Sequence, residues 1–501
     1  MTETDGSVLV SWFAPEQVTL QEDSTVTTVG EPYNTVQYRV QENELGTTTV
    51  TMTRQQKDMT PHIITRTEEP GRVTITNGSG DEAIVRVFEQ NINTDGLLVK
   101  TETLKKGENI ASATTSVFCY SPAGWLLVKK TEAYGTPEAQ NTYYHYNAQH
   151  RVQSMTNDAG AYTEYEYDYL GRITMEKSPW GANLAKVTRT TYATARFFDI
   201  RPASEAEYHV NASGTEVLFR NTAYSYDESA ELERVTTTVT AGGSSQQQVS
   251  IEETYGAEPA YAYAAGKPKF SQDIIGVQTV HEYAATTEHG AIHKHTTITM
   301  ANDELVTAQS RKSEIFISAD DTTIFEQESI WDGTQWLLLN TTAYEYDEQQ
   351  RVVKTTRGNG RFSATTWMCC GRLSETDEDG ITTTYAYDSA RQLTEISREE
   401  VYDGETCITP ETITEYTRDA AGRVLSTTRR IGPMATTEST DYDALGRVTL
   451  QTDVLGRITT TAYSADGLTT TIPSPAGATT ITTRNTDGST ASVSGTAQRA
   501  L

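Results

Sequence analysis

Two stretches of the chain carry the same seven-residue motif, Tyr-Asp-x-x-Gly-Arg followed by an aliphatic residue. They are Tyr167-Asp168-Tyr169-Leu170-Gly171-Arg172-Ile173 and Tyr442-Asp443-Ala444-Leu445-Gly446-Arg447-Val448. Tyr346-Asp347 followed by Arg351-Val352 lacks only the glycine. Asp-x-x-Gly is typical of a type I turn that a glycine closes in the left-handed region, after which Arg and the aliphatic residue begin the returning strand. The motif therefore predicts a β-hairpin.

A second glycine stands seven residues ahead of the aromatic position in several copies. It occurs at Gly160, Gly360, Gly380, Gly456 and Gly477. At Asp379-Gly380 we expect a hairpin-type turn, because Gly supplies the positive φ and Asp bonds its own backbone. Most successive copies lie about 20 to 21 residues apart, so each unit is predicted to contain two short antiparallel strands and two turns.

The segments between the turns are rich in Thr, Val, Ile and Tyr, as in Thr236 to Thr240, and no long stretch has a 3.6-residue apolar period. We therefore predict an all-β fold, a long antiparallel β-hairpin repeat sheet that curls into a spiral shell, since a flat sheet of that length is not viable. Residues 1–140 are expected to form a β-rich N-terminal region of degenerate repeats or a cap. Residues 141–501 are expected to form the repeat shell, with a weaker, insertion-bearing middle at about 190–340.

The charge balance excludes some classes of function. The chain has 40 Lys and Arg against 68 Asp and Glu, a net charge of −28, which argues against binding nucleic acid or an anionic membrane surface. No apolar run is long enough for a membrane-spanning helix. Acidic Glu3 and Asp5 precede the short apolar stretch at Val8 to Ala14, so we expect no signal peptide.

The repeated motif resembles the YD repeats of the RHS (rearrangement hotspot) family. The resemblance is clearest from Thr142 to Thr174 and from Thr341 to about Thr490. It implies a β-sheet ribbon that spirals into a hollow cocoon, which in polymorphic toxins and toxin complexes encloses a C-terminal effector. It also implies a location outside the cytoplasm or at the cell envelope.

The resemblance further implies that the shell itself is not an enzyme and that its partners are the enclosed effector or other shell segments. The family's shell normally ends in a DPxGR-type autoproteolytic motif followed by the toxin. Neither occurs before Leu501, so we expect a shell or a shell fragment, monomeric, whose effector lies outside this chain. From the sequence we assign no catalytic, cofactor-binding or metal-binding residue.

Two alternatives remain open. One is a cell-surface module that binds carbohydrate, with Trp331 and Trp336 beside the Asp332-Gly333 turn as a stacking platform, although the same rings could pack into the sheet. The other is a parallel β-helix enzyme acting on polysaccharide, whose coils also have about 20 residues. The alternating turns favour antiparallel pairing instead.

Few polar residues suggest a site. The repeated Asp is expected to cap its turn, and the Arg to pair with a carboxylate or lie on a tyrosine face. His293 and His295 project to one face of a strand near His289, so with Glu288 they could hold a divalent metal, but an exposed strand end is the preferred interpretation. Cys369-Cys370 could form a vicinal disulfide or a redox switch, and are interpreted as turn or core thiols.

Overall fold

A computed structural model shows that the protein is built almost entirely from β-strands. It describes residues 7–12, 18–20, 26–28, 34–43, 46–56, 61–194, 199–301, 303–368, 371–473 and 477–496. These residues form 42 strands and three single-turn 3-10 helices. The 3-10 helices span Gly80–Glu82, Ala262–Ala264 and Glu288–Gly290.

The strands follow one another with short turns between them. The first sixteen are β1 (Val8–Trp12), β2 (Val18–Leu20), β3 (Val26–Thr28), β4 (Asn34–Glu42), β5 (Thr48–Gln56), β6 (His62–Glu69), β7 (Arg72–Asn77), β8 (Ile84–Ile92), β9 (Leu98–Lys106), β10 (Asn109–Ser121), β11 (Gly124–Glu132), β12 (Gln140–Tyr146), β13 (Val152–Asn157), β14 (Tyr162–Tyr167), β15 (Ile173–Trp180) and β16 (Leu184–Tyr192). The next twelve are β17 (Pro202–Val210), β18 (Glu216–Glu228), β19 (Leu232–Ala241), β20 (Gln247–Tyr255), β21 (Pro268–Gln272), β22 (Val277–Ala285), β23 (His293–Ala301), β24 (Arg311–Ile317), β25 (Thr323–Trp331), β26 (Trp336–Tyr346), β27 (Val352–Arg357) and β28 (Phe362–Met368). The last fourteen are β29 (Gly371–Thr376), β30 (Thr382–Tyr387), β31 (Leu393–Arg398), β32 (Val401–Asp403), β33 (Thr406–Thr409), β34 (Thr412–Arg418), β35 (Val424–Ile431), β36 (Met434–Tyr442), β37 (Val448–Thr452), β38 (Ile458–Thr460), β39 (Ala462–Tyr463), β40 (Thr469–Pro473), β41 (Thr479–Arg484) and β42 (Thr490–Gly495).

The chain forms two compact units. Unit 1 comprises Met1–Tyr162, Trp367–Ser374 and Ile381–Leu501, and unit 2 comprises Thr163–Thr366 and Glu375–Gly380. In unit 1, β4 to β13 pair in chain order, and β1 adds to β4. Later in the same unit, β34 to β38 pair in order, and β39 to β42 form a separate four-stranded sheet.

In unit 2, β15 to β27 pair in chain order. Every register given for the described strands, in both units, is antiparallel. The predicted all-β class and the long antiparallel hairpin sheet are therefore confirmed, and the parallel β-helix alternative is wrong. The boundary expected at residue 140 stays a prediction.

The apolar core is shallow, because most strand side chains are half-buried. Phe316 on β24 is fully buried, and Val36, Val87 and Val187 are nearly so. Much of the remaining strand surface is Thr, whose branched side chain suits a pleated surface that is only partly covered. The fold therefore depends strongly on strand pairing and on its turns.

The predicted Asp-x-x-Gly turn is confirmed. The amide of Gly446 donates to the carbonyl of Asp443 over 2.9 Å, and Gly446 has φ 81°. The register between β36 and β37 shifts at Tyr442, as expected where a glycine in the left-handed region forms a bulge.

The turn at Asp379-Gly380 differs in one detail from the expectation. Gly380 does lie in the left-handed region, but its amide donates to the carbonyl of Asp377 over 3.0 Å. The carboxylate that caps the turn also belongs to Asp377, because it accepts the amide of Asp379 over 3.0 Å. The turn therefore spans four residues, and Gly160, Gly360, Gly380 and Gly456 close the same kind of turn as Gly446.

Gln350 offers a test of this turn geometry, because it occupies the glycine position after Asp347 with φ 59°. A side chain in the left-handed region costs about 1 to 2 kcal/mol, which exceeds the extra chain entropy that glycine loses on folding. We expect Gln350→Gly to raise the free energy of unfolding by up to about 1 kcal/mol, measured as a higher urea midpoint. Gly456→Gln is the matched control and should lower the midpoint, because Gly456 has φ 75° and open space around a Cβ. A lower midpoint for Gln350→Gly would contradict the assignment.

Candidate functional site

The repeated Asp, Arg and Tyr side chains form a local network that we call the Asp–Arg–Tyr brace. In one copy the Oδ1 atom of Asp443 accepts the amides of Leu445 and Arg447 over 3.0 and 2.8 Å, and its Oδ2 accepts Arg447 Nε over 2.7 Å. The guanidinium of Arg447 lies 4.1 Å from the ring centroid of Tyr463 in the next repeat. The Tyr463 hydroxyl donates to the carbonyl of Val448 over 3.0 Å. One carboxylate thus fixes its turn and aims the Arg at the neighbouring hairpin.

The brace recurs along the chain. The same set of contacts occurs in Asp168–Arg172–Tyr192 and in Asp419–Arg423–Tyr442, with guanidinium-to-ring distances of 4.3 and 4.9 Å. These residues have the geometry predicted for a structural role: each Asp caps its turn, and each Arg pairs with that carboxylate and lies on a tyrosine face.

The electrostatics of the turn favour the ionised carboxylate. At the exposed Asp453, hydrogen bonds from the Arg457 amide and guanidinium lower the pKa of the carboxyl group below its usual value. Burial raises the pKa of Asp347, but the hydrogen bonds from Arg351 outweigh it and the net direction is also downward. Asp347 and Asp453 therefore keep their charge at neutral pH.

The brace between Arg447 and Tyr463 can be measured by a double-mutant cycle. We expect Tyr463→Phe to lower the free energy of unfolding by about 1 kcal/mol, because it removes the hydroxyl donor and keeps the ring. Arg447→Gln and Tyr463→Leu, singly and together, should show a coupling of about 0.5 to 1 kcal/mol from the cation–π contact. Additive effects in urea unfolding would show that the ring and the guanidinium do not interact.

A second set of contacts in unit 1 joins residues far apart in sequence, and we call it the seam. Asn77 Nδ2 donates to the carbonyl of Ala390 over 3.2 Å, and Ser389 Oγ donates to the carbonyl of Ser79 over 3.0 Å. Gly78 lies between them with φ 92°, and a Cβ there would lie 2.8 Å from the Ala390 amide nitrogen. Only glycine fits this close approach.

Lys106 is the charged centre of the seam. Its Nζ lies 2.5 Å from a carboxylate oxygen of Glu82, 3.3 Å from one of Asp388, and 3.4 Å from the carbonyl oxygen of Arg418. The Lys106 side chain is 16% exposed and that of Asp388 is 5% exposed, so this ion pair is largely shielded from water. Burial lowers the pKa of Lys106, but the two carboxylates outweigh it and the net direction is upward.

An open cleft of about 1020 Å³ lies along the seam. Lys106, Asp388, Arg423 and Tyr442 line it together with their neighbours. Arg423 Nη2 donates to the carbonyl of Ala111 over 3.0 Å, which ties a brace arginine to β10. Lys106, Asp388 and Arg423 are thus engaged in holding the two walls of the cleft together.

The histidines that the sequence grouped lie in two aromatic clusters within unit 2, because the tyrosines that His293 and His295 meet contact each other, with ring centroids 6.3 Å apart. His289 stacks on Phe325 with ring centroids 3.8 Å apart, and His293 stacks on Tyr263 at 3.6 Å. His295 stacks on Tyr283 at 4.4 Å. In the part of the chain that the structure describes, no three His, Cys, Asp or Glu side chains are placed to hold a metal ion.

His295 is half-buried, so the exposed strand end expected for this histidine is wrong. Its Nε2 lies 3.1 Å from Nδ1 of His281 on the paired strand β22, and Lys267 places its Nζ 5.5 Å from the centroid of the Tyr283 ring. Burial, with repulsion from His281 and Lys267, lowers the pKa of His295 to about 4. Burial also lowers the pKa of His281. The pair is therefore neutral at pH 7.

The pair predicts an acid sensitivity. A histidine whose pKa is lower in the folded state stabilises the fold above its unfolded pKa of about 6.5 and loses that contribution as the pH falls towards 4. Allowing for partial solvent screening, we expect a loss of roughly 1 to 2 kcal/mol over that range. His295→Phe should flatten this part of the stability–pH curve, measured by urea unfolding, whereas an unchanged slope would contradict the assigned cause.

Trp331 and Trp336 face each other across the β25–β26 hairpin. Their ring centroids are 5.4 Å apart with an interplanar angle of 62°, and both rings are half-buried. This edge-to-face geometry favours the packing interpretation over an open stacking platform. Cys369-Cys370 lie outside the described residues.

The folded chain is thus an antiparallel hairpin-repeat β-protein with a brace at its turns. Comparison with known proteins identifies these repeats: the family described as RHS Repeat matches residues 146–181 and 371–400. The chain therefore carries RHS repeats, and the resemblance expected from its sequence is confirmed at these two stretches. No curated protein matches the sequence. Within the described residues, no helix has the length and apolarity needed to cross a bilayer.

Several solved structures are similar to this chain. The Photorhabdus luminescens Tc holotoxin pore is 12% identical, with a TM-score of 0.43, over 92% of this chain and 29% of that one. A TcdB2-TccC3-Cdc42 crystal structure is 11% identical, with a TM-score of 0.32, over 91% of this chain and 32% of that one. The chain thus spans about a third of the length of these structures.

Proposed function

We propose that the protein is a structural scaffold, an RHS-type β-sheet shell or shell segment that encloses or presents an effector polypeptide. The observation that carries the proposal is the repeated brace. Its carboxylates fix their own turns, and its guanidinium groups and tyrosine rings contact neighbouring hairpins, so the most regular polar residues of the chain hold successive hairpins together. The same use of these side chains in three copies of the repeat supports a mechanical role.

The RHS repeats support the same role. They match residues 146–181 and 371–400, and both stretches consist of short antiparallel strands joined by tight turns. By resemblance to RHS proteins, we place this scaffold outside the cytoplasm or at the cell envelope. The net charge of −28 agrees with a wall that stays soluble and does not bind nucleic acid.

The seam supports enclosure. It bonds strands near Gly78 and Lys106 to turns about 310 residues later, within unit 1. A wall that surrounds a polypeptide needs contacts of this kind, because β-ladders between successive hairpins alone leave its early and late segments unjoined. The shielded ion pair of Lys106 with Asp388 makes this contact specific, because removing one partner leaves the other charge buried and without a counter-charge.

Protease protection tests the proposal. A reporter polypeptide fused after Leu501 should be cleaved by trypsin about tenfold more slowly than the free reporter, because proteolysis follows the population of open states. Lys106→Met should shorten that protection by opening the seam. Lys105→Met, which removes the preceding lysine of the same strand, is the matched control and should leave the protection unchanged.

Two results would count against enclosure. The reporter could be cleaved at the same rate in the fusion and on its own, while circular dichroism shows the fused chain to be folded. Alternatively, both lysine variants could lose protection equally, which would assign the effect to general destabilisation.

A further inference from the structure

Three long hairpins begin their second strand with closely related residues. The stretches are Trp125-Leu126-Leu127-Val128 in β11, Glu216-Val217-Leu218-Phe219 in β18 and Trp336-Leu337-Leu338-Leu339 in β26. In each hairpin the register slips at the fourth residue, which has no partner on the preceding strand. The same local structure is therefore built three times, and the copies can be compared.

The backbone groups of Trp336 and Leu338 point away from β25. In the preceding strand, the amide of Trp331 donates to the carbonyl of Ser310 over 3.1 Å, and the Trp331 carbonyl accepts the amide of Ala308. Trp331 therefore turns its backbone groups away from its cross-strand partner Trp336, so the two form a non-hydrogen-bonded pair. Since such pairs alternate along an antiparallel ladder, Trp336 and Leu338 each present an N–H and a C=O to the outer edge.

In each of the other two hairpins, one carbonyl of this part of the strand is hydrogen-bonded from outside the hairpin. In unit 1, the hydroxyl of Tyr146 donates to the carbonyl of Leu127 over 2.7 Å. In β18 of unit 2, the amide of Gly242 donates to the carbonyl of Phe219 over 2.7 Å, and a Cβ on Gly242 would overlap the Leu218 carbonyl oxygen. Both edges thus have a partner within their own unit.

The edge of β26 is open. Its next strand, β27, pairs with β26 only as far as Thr342, and the amide of Gly358 then donates to the carbonyl of Thr341 over 2.9 Å. Among the described residues, no strand pairs with the outer edge of Trp336 to Asn340. Over these five residues, Trp336 and Leu338 therefore offer backbone groups that no described strand uses.

This open edge is also apolar. Leu337, Leu338 and Leu339 are 43%, 60% and 53% exposed. Leu338 and Leu339 line a groove of about 530 Å³, which Arg357 and Glu378 also line. These two charges pair with each other over 3.0 Å, which leaves the leucines and the backbone as the groups that select an occupant.

We propose that the Trp336–Asn340 edge binds an extended segment of a partner polypeptide by β-strand addition. Backbone hydrogen bonds to Trp336 and Leu338 fix the segment as a strand, and its alternate apolar side chains cover the leucines. The net charge of −28 repels a second copy of this chain and favours a segment whose other side chains are Lys or Arg. The inference goes beyond the proposed scaffold, because it requires no enclosed space.

Leu338→Pro removes one outward N–H and tests the edge directly. The fold should tolerate it, because this N–H is not part of the ladder with β25 and proline is accepted on edge strands. Leu338→Ala is the control, since it shortens the side chain and keeps the N–H. The probe is a fluorescein-labelled peptide of alternating Lys and Val, measured by fluorescence anisotropy with the full chain.

We expect the peptide to bind saturably to the wild type, and Leu338→Pro to weaken binding at least about tenfold, with a smaller effect of Leu338→Ala. A peptide of the same sequence with alternate backbone nitrogens methylated on one edge should also lose at least about tenfold, although its charge and side chains are unchanged. This second probe needs no variant of the protein, so misfolding cannot produce the result.

Three outcomes would overturn the proposal. The first is an absence of saturable binding to the wild type. The second is equal binding of the methylated and unmethylated peptides, which would assign the affinity to charge alone. The third is a wild-type dimer in analytical ultracentrifugation that Leu338→Pro converts to a monomer, since a second copy would then occupy the edge.

Discussion

One carboxylate controls the repeat. In Asp443 a single side chain accepts two turn amides with one oxygen and the guanidinium of Arg447 with the other. These bonds require an ionised carboxylate, and the Arg they hold lies over Tyr463 of the following hairpin. The local turn and the contact between repeats therefore depend on the same carboxylate. A turn that loses its Asp also loses part of the contact between its Arg and the tyrosine of the next hairpin.

The shallow apolar core explains why the fold needs the Asp–Arg–Tyr brace. A sheet whose side chains are mostly half-buried gains little from apolar burial per residue, and antiparallel pairing alone does not fix the angle between successive hairpins. The cation–π contact and the tyrosine hydroxyl bond act at that angle, because they reach from one hairpin to the next. Where the glycine of the turn is missing, as at Gln350, Asp347 still accepts the amide and the guanidinium of Arg351, and the backbone carries the strain.

The sequence predicted what is encoded locally. Tyr-Asp-x-x-Gly-Arg contains the turn, the bulge and the identity of the brace residues, so the antiparallel hairpins and the role of Asp and Arg followed from it. The four-residue turn at Asp377 was missed because Asp379-Gly380 is also an adequate two-residue turn. The signal was present, since an Asp or Asn three residues before a glycine recurs at Asn157 and Asp453.

Contacts set by register or by distant segments could not be predicted. His293 and His295 share a strand face, but which rings they meet depends on the alignment of β22 with β23 and on Tyr263 outside both. The seam at Gly78 has no sequence signal, because a lone glycine with positive φ is common in turns, and only the approach of Ala390 gives it a special role. The open edge of β26 is likewise a property of where β27 stops pairing. Repeated local chemistry therefore builds the hairpins, whereas the seam and the open edge are set by distant segments and by how far neighbouring strands extend.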